Sequence, residues 1–186
     1  MAKALRNLAV VYRSQARLEE AEVLLRRSLN IAKTLTAESR ETAMALAAMG
    51  AIRFDQKHYS AAERLLNEAL EIQAKILPEE DPQRLNNLHN LAEIHHARGR
   101  FEEALVLYRQ VIEIKERIHG PEHPSLAITL DSAGVCHFSQ QQYEEAGRLF
   151  GRARGILEKT LEPNHPRVAI VLNNLAGVYQ KKGRLQ

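Results

Sequence analysis

Two histidines and a glutamate lie at a spacing that could bind a metal ion. His89, Glu93 and His96 are related as i, i+4 and i+7, so a helix would place them on one face. Two imidazoles and a carboxylate are suitable ligands for zinc or a similar ion, and Asp131 could stand nearby from the next part of the chain. The eight histidines are scattered along the chain, however. We favour the alternative that these three are ordinary polar surface residues, and we expect no cofactor.

The remaining reactive side chains do not form a catalytic arrangement. Cys136 and His137 are adjacent in sequence, and adjacent residues of a helix point about 100° apart, so they are not a nucleophile and its base. His123 and His165 each precede a proline and recur 42 residues apart, which favours a structural task such as capping a helix. No glycine-rich phosphate loop or nucleophile elbow is present. We therefore expect a protein that is not an enzyme.

The composition is that of a helical protein with a solvated surface. Of 186 residues, 45% are hydrophobic and 5% aromatic, and there is no tryptophan. The net charge of +3 is small and both signs are mixed along the chain, so we expect neither a nucleic-acid partner nor a membrane. No apolar run approaches the length of a membrane span. Cys136 is the only cysteine, which excludes an internal disulfide and favours a reducing compartment, the cytoplasm.

The elements that must position these side chains repeat with a period of 42 residues. The period is clearest in a set of leucines and a set of alanines, with one 41-residue step near the start: Leu5, Leu46, Leu88, Leu130 and Leu172, and Ala21, Ala62, Ala104 and Ala146. Within each repeat the apolar spacing is that of two helices joined by a short polar turn, and all six prolines fall between repeats. A single pair cannot bury its apolar faces, whereas stacked pairs can. We predict one array, with repeats at 2–42, 43–84, 85–126 and 127–168 and a half repeat at 169–186.

These segments resemble a known repeat family. Residues 172–184 (LNNLAGVYQKKGR) are similar to the first helix of tetratricopeptide repeats, in the 42-residue form typical of kinesin light chains. Residues 120–124 (GPEHP) and 162–166 (EPNHP) are similar to the linker of that family. The resemblance implies an all-α fold, a right-handed α-solenoid of antiparallel helix pairs with about four and a half repeats. It implies protein binding in general but no particular partner, because the module serves many unrelated proteins.

In a superhelix of that family, the first helix of each repeat lines the concave groove. The residues that would face this groove include more apolar side chains than a solvated face needs, and Phe54 and Phe138 occupy the same register position two repeats apart. The candidate groove residues are Arg6, Arg13, Met44, Phe54, His89, Asn90, His96, Ile128, Asp131, Phe138, Asn173 and Asn174. We interpret them as pockets for an extended or helical peptide, with asparagines fixing its backbone. The alternative is that curvature or neighbouring helices bury them.

The C-terminal end and one glycine-rich helix suggest a second kind of contact. The last repeat stops at residues 183–186, where its second helix should begin, so we expect a piece of a longer array. Leu172, Leu175 and Tyr179 would then lack their partner helix, and the chain would self-associate through this end. Three glycines at i, i+4 and i+8 would bare a strip of backbone on the convex side, either for docking of a helix or through tolerated drift: Gly147, Gly151 and Gly155.

These observations lead to one main hypothesis and two alternatives. The main hypothesis is a non-catalytic scaffold that binds a peptide segment of a partner protein in the groove. The first alternative is a structural module that assembles with itself through its ends and convex face, forming a homo-oligomer. The second alternative is a regulatory domain of a larger protein that responds to a bound peptide.

Overall fold

The chain consists of helices joined by short turns and linkers. The computed structural model describes residues 1–162 and 164–183, and these contain no strand. The helices are α1 (Ala2–Ser14), α2 (Leu18–Leu35), α3 (Arg40–Asp55), α4 (Tyr59–Ile76), α5 (Pro82–Ala97), α6 (Phe101–His119), α7 (Ala127–Ser139), α8 (Tyr143–Thr160) and α9 (Pro166–Lys181). Odd numbers are first helices and even numbers are second helices. Pro163 of the predicted linker, and Arg184, Leu185 and Gln186 at the predicted end of the array, lie outside the described residues.

The helices divide into two compact units. Unit 1 is Met1–Arg98 and unit 2 is Gly99–Gln186. In unit 1, each of the helices α1 to α4 packs against the next one along the chain, and α3 also touches α1 and α5. In unit 2, α6 to α9 pack in the same sequential way, and α7 touches α9. None of the described helices combines the length and apolar character needed to cross a membrane.

Small residues let first and second helices approach closely within each unit. A Cβ atom added to Gly50 would lie 3.2 Å from Cδ1 of Leu66 and 3.3 Å from the carbonyl oxygen of Ala62. A Cβ atom added to Gly134 would lie only 2.6 Å from Cε1 of Phe150. The prediction that these two glycines allow close helix packing is confirmed, because any side chain there would collide with the second helix.

The first helices begin at side-chain caps that recur with the repeat. Backbone N–H groups donate to Ser39 Oγ at 3.1 Å and to Asp81 Oδ1 at 2.8 Å at the starts of α3 and α5. In unit 2, Nδ1 of His123 and Nδ1 of His165 each accept a backbone N–H at 3.2 Å. The predicted capping role of both histidines is confirmed. The predicted repeat boundaries at 43, 85 and 169 fall inside α3, α5 and α9, because the caps place the helix starts about one turn earlier.

The turns between paired helices require a left-handed residue. Gly99 and Gly183 have φ of 72° and 68°, as predicted. The equivalent residues Ala16, Lys57 and Gln141 have φ of 60°, 62° and 62°, although they carry a Cβ atom. This conformation is unfavourable for a residue that is not glycine.

Gln141→Gly is expected to raise the free energy of unfolding by about 0.5–1 kcal/mol, because relief of the left-handed strain exceeds the extra freedom that glycine has in the unfolded chain. Urea denaturation measures the change. Gln142→Gly is the matched control, since Gln142 has a φ of −84° and should gain nothing. Equal effects of the two substitutions would contradict the explanation.

Buried polar pairs join second helices to the next first helices at one repeated position. In unit 1, Asn87 Nδ2 donates to Gln73 Oε1 at 3.0 Å between α4 and α5. In unit 2 the equivalent pair is Lys115 and Thr129: Lys115 Nζ donates to Thr129 Oγ1 at 3.1 Å and to the carbonyl oxygen of Ser125 at 2.8 Å. Burial lowers the pKa of Lys115 below its ordinary value of 10.5.

This lowered pKa makes the stability of the chain depend on pH. Between the folded and unfolded pKa values of Lys115 the unfolded chain holds more protons, so the free energy of unfolding should rise with pH, up to about 10.5. Lys115→Gln, which introduces the residue of the equivalent position 73, should remove this slope. Denaturation at a series of pH values from 7 upward measures it. Lys181→Gln is the control for the loss of one lysine, and the same slope in Lys115→Gln as in the wild type would contradict the prediction.

Surface side chains also fasten each second helix to the following first helix. The first turns of the second helices carry the acceptors and the ends of the first helices carry the donors: Glu22 with Arg53, Glu63 with Arg98, Glu102 with Gln140, and Glu144 with Lys182. Such exposed contacts contribute little stability individually, about 0–1 kcal/mol each. They repeat the same nearest-neighbour pattern in both units.

Candidate functional site

The first cleft lies on the first-helix face of unit 1, between α1, α3 and α5. Its walls include Arg13, Ala51, Phe54, Asn90 and Glu93. Three predicted groove residues, Arg13, Phe54 and Asn90, are therefore brought together. The space between the walls is about 460 Å³, which is in the range of ordinary ligand clefts.

Phe54 forms a firm apolar wall of this cleft. Its ring packs against Tyr59 in a tilted arrangement with centroids 5.6 Å apart. Phe138 packs on Tyr143 in the same way in unit 2, with centroids 5.3 Å apart. Both predicted phenylalanines are half-buried, so the two interpretations of them, a binding surface and a packing residue, each describe part of the ring. Sequence analysis missed the tyrosines, although each lies five residues after its phenylalanine.

The charge of Arg13 is matched within the chain. Its Nη2 donates to Asp55 Oδ1 at 3.0 Å and its Nε to Asp55 Oδ2 at 2.5 Å. These hydrogen bonds, partly opposed by burial, raise the pKa of Arg13 above its ordinary value. The arginine therefore supplies a rigid wall to the cleft, and its guanidinium is already bound to a carboxylate.

Asn90 offers an unused amide at the cleft. It is exposed and forms no side-chain hydrogen bond with a described residue. By contrast, Asn174 Nδ2 in unit 2 donates to Asp131 Oδ1 at 2.8 Å, so that amide is engaged. Asn173 is exposed and Met44 is half-buried. Of the predicted asparagines, Asn90 is thus the one that stands beside an apolar cleft with its amide available.

The remaining polar candidates of unit 1 do not form a metal site. His89 Nε2 lies 3.5 Å from Glu93 Oε1, and His96 is half-buried. No group of three histidine, cysteine or carboxylate side chains among the described residues is arranged to hold a metal ion. Arg6, predicted to face the groove, is only 8% exposed. Burial lowers the pKa of Arg6, with partial compensation from the charge of Glu41, so it is a packed residue and not an open cation.

The second cleft lies in unit 2, between α7 and α9. Ile128, Asp131, Arg167, Ile170 and Val171 line it. Ile128 and Ile170 occupy the same position in consecutive repeats and are 44% and 54% exposed. This cleft includes the predicted residues Ile128 and Asp131, whereas Arg167 and Ile170 were not among the candidates.

Comparison with known proteins agrees with this architecture. A family model described as tetratricopeptide repeat matches residues 1–75, 83–153 and 133–186. This chain belongs to the tetratricopeptide repeat family. No curated protein matches the sequence. The predicted all-α solenoid of tetratricopeptide repeats is confirmed.

Solved structures of kinesin-light-chain-type repeats are similar over nearly the whole chain. TPR-like repeats from Podosopora anserina are 30% identical with a TM-score of 0.82, over 98% of this chain and 87% of theirs, and a variant of the same repeats covers 86% of its own length. BtubC (BKLC) from P. vanneervenii is 22% identical with a TM-score of 0.87, over 98% of this chain and 73% of its own. The second similarity shows the fold alone. The resemblance to kinesin-light-chain-type tetratricopeptide repeats is therefore confirmed.

Two details of the predicted self-association surface are wrong. Leu172 and Tyr179 are exposed as predicted, but Leu175 is buried in the core of unit 2 with Val171 and Val178. Its register position faces the preceding second helix, α8, and not the following one. Gly147 likewise faces α9, since a Cβ atom there would lie 3.3 Å from Val178 Cγ1.

The other two glycines of that set have open space around them. Nothing lies within 4 Å of a Cβ atom added to Gly151 or Gly155. The two residues therefore make no close helix contact within unit 2. Docking of another helix against them stays a prediction, as does tolerated drift.

Proposed function

We propose that this tetratricopeptide repeat protein is a non-catalytic cytoplasmic scaffold whose first cleft binds a peptide segment of a partner protein. The observation that carries the proposal is the uncommitted amide of Asn90 beside the apolar wall of Phe54 and Ala51. An apolar side chain of the partner would pack on the phenylalanine, and the asparagine would bond its backbone. Membership of a family that generally mediates protein–protein interaction supports the proposal.

A peptide-library screen on immobilised protein tests this function. Ala51→Arg fills the cleft with a long side chain and is expected to weaken binding of library hits at least tenfold. Asn90→Ala removes about 1 kcal/mol, or roughly fivefold in affinity, if its amide bonds the peptide backbone. Phe54→Ala is a poorer probe, because it also removes the contact with Tyr59.

The matched control is Ala74→Arg, which introduces the same side chain at an exposed position of α4. This control should bind the hits as the wild type does. Hits that bind Ala51→Arg and wild type equally would contradict a role for the first cleft.

A second candidate function is self-assembly through α9. It is favoured by the exposure of Leu172 and Tyr179, whose counterparts Leu130 and His137 are covered in unit 2. If this surface mediates assembly, sedimentation velocity should show a mass that rises with protein concentration. Leu172→Glu should abolish the rise, whereas Val23→Glu, on the exposed side of α2, should not. A constant monomer mass up to high concentration would refute this candidate.

A further inference from the structure

Arg167 occupies an unfavourable place for a cation. It is the second residue of α9, after Pro166, in a first turn that contains no acidic residue. The exposed N–H groups make this end of a helix electropositive, so a guanidinium there is repelled unless an anion is nearby. Arg167 forms no ion pair with any residue in the described part of the chain.

The other repeats do not place a cation at this position. The equivalent residues, 42, 84 and 126 positions earlier, are Ser125, Gln83 and Glu41, which are neutral or acidic. A residue that breaks the local rule of its own repeat without a compensating contact is an expected sign of a functional site. Arg167 is therefore better explained by an anion that it binds than by the needs of the helix.

The surface next to Arg167 is apolar. Ile170 follows it by one helical turn, about 5–6 Å between Cβ atoms, and Ile128 faces the same cleft from α7. Val171 and Leu157, both buried, close its floor. The residues equivalent to the two isoleucines in unit 1 are Met44 and Asn86. The combination of paired isoleucines with an arginine thus belongs to the second cleft.

The carboxylate of Asp131 limits what can bind. It lines the same cleft and is oriented by Asn174 at 2.8 Å. A ligand with several acidic groups would be repelled by this carboxylate, whereas a single anionic group beside Arg167 keeps its distance from it. The cleft therefore favours one negative charge attached to an apolar body.

We propose that the second cleft binds a small amphipathic monoanion. Its carboxylate pairs with Arg167 at the N-terminal end of α9, and its aliphatic or aromatic body lies between Ile128 and Ile170. The short distance from Arg167 to Ile170 suits a small acid whose charged group is directly attached to its apolar part. The site lies wholly in unit 2, so it is independent of the peptide proposed for the first cleft.

Titration of the ¹⁵N-labelled chain with sodium octanoate, followed by amide chemical shifts, tests the proposal. The shifts should map to α7 and the first half of α9. Octan-1-ol, which lacks the charge, should bind at least tenfold more weakly, and octylammonium should not bind.

Two variants take residues from the equivalent positions of α5, where the same fold carries them. Arg167→Gln should weaken octanoate binding at least tenfold, to the level of octanol. Ile170→Asn should weaken the binding of both octanoate and octanol. Lys181→Gln, which removes an exposed cation from the other end of α9, is the matched control and should bind octanoate as the wild type does.

Three results would overturn the proposal. One is equal binding of octanoate and octanol with no effect of Arg167→Gln. Another is a set of shifts that lies outside α7 and α9. The third is silence toward octanoate at millimolar concentration while a peptide ending in an apolar residue with a free carboxylate binds and depends on Arg167, which would assign the cleft to a protein partner.

Discussion

Gly134→Ala is expected to lower the free energy of unfolding by about 2 kcal/mol, within the range of about 1–3 kcal/mol for an overpacked core. The new Cβ atom would lie 2.6 Å from Cε1 and 2.7 Å from Cδ1 of Phe150. The ring is buried among residues of α7, α8 and α9 and has little space to move. Alanine is the better helix former by about 1 kcal/mol, so the net loss arises because the clash exceeds that gain. Urea denaturation with a fixed m-value measures the loss.

The same position in unit 1 supplies the compensating change. There the first helix carries Ala9 and the second helix carries Leu25, and both are buried. Phe150→Leu alone should be destabilising because it leaves a cavity next to Gly134. The double variant Gly134→Ala with Phe150→Leu reproduces the pair of unit 1 and should be more stable than the sum of the single effects indicates. Strict additivity of the two changes would contradict a direct steric conflict.

Asn87→Leu is the second substitution with a large expected effect, a loss of about 1–3 kcal/mol in the free energy of unfolding. Asn87 and Gln73 are 6% and 1% exposed and are joined by a hydrogen bond of 3.0 Å. Removal of the amide leaves Oε1 of Gln73 buried without its donor. The cost follows from this unpaired acceptor, since leucine itself suits a buried position.

A double substitution separates the two causes. The equivalent pair between α8 and α9 is Leu157 and Val171, which is apolar and buried. Gln73→Leu with Asn87→Val copies that pair into unit 1 and should recover most of the stability that Asn87→Leu loses. Thermal and urea denaturation of the three variants measure this. A double variant as unstable as Asn87→Leu would show that packing, and not the unpaired amide, causes the loss.

Much of the fold could be predicted because its determinants are local. The 42-residue period, the prolines between repeats and the small residues at Gly50 and Gly134 describe helix ends and helix contacts directly. The caps at His123 and His165 followed from the same reasoning, since a residue that recurs with the scaffold serves the scaffold. Helix starts were placed one turn late because the apolar stripe begins after the cap.

The candidate site could be predicted only as a set of register positions. Periodicity shows which residues share a helix face, and the structure brings Arg13, Phe54 and Asn90 together as expected. It does not show that Asp55 occupies the guanidinium of Arg13, or that Arg6 is buried. Such pairings depend on side-chain rotamers and on the exact placement of neighbouring helices, which no spacing rule contains.

The face of Leu175 illustrates the same limit. A helix in the middle of a stack has two apolar faces, one toward the preceding helix and one toward the following helix, and neighbouring stripes differ by less than a quarter turn. Leu172 and Leu175 were assigned to one face. The structure places Leu172 at the surface and Leu175 in the core with Val171.

The fastening of each second helix to the next first helix bears on how the chain acquires its structure during synthesis. Its members, such as Glu22 with Arg53 and Glu102 with Gln140, lie 31 and 38 residues apart in the chain. Contacts of such short range need only small loops to close, so each helix can find its neighbour quickly. A ribosome adds about 5–20 residues per second, and a complete helix pair therefore becomes available to pack every few seconds. Each emerging pair then meets a surface that is already folded, which limits the time for which its apolar faces stay exposed to other nascent chains.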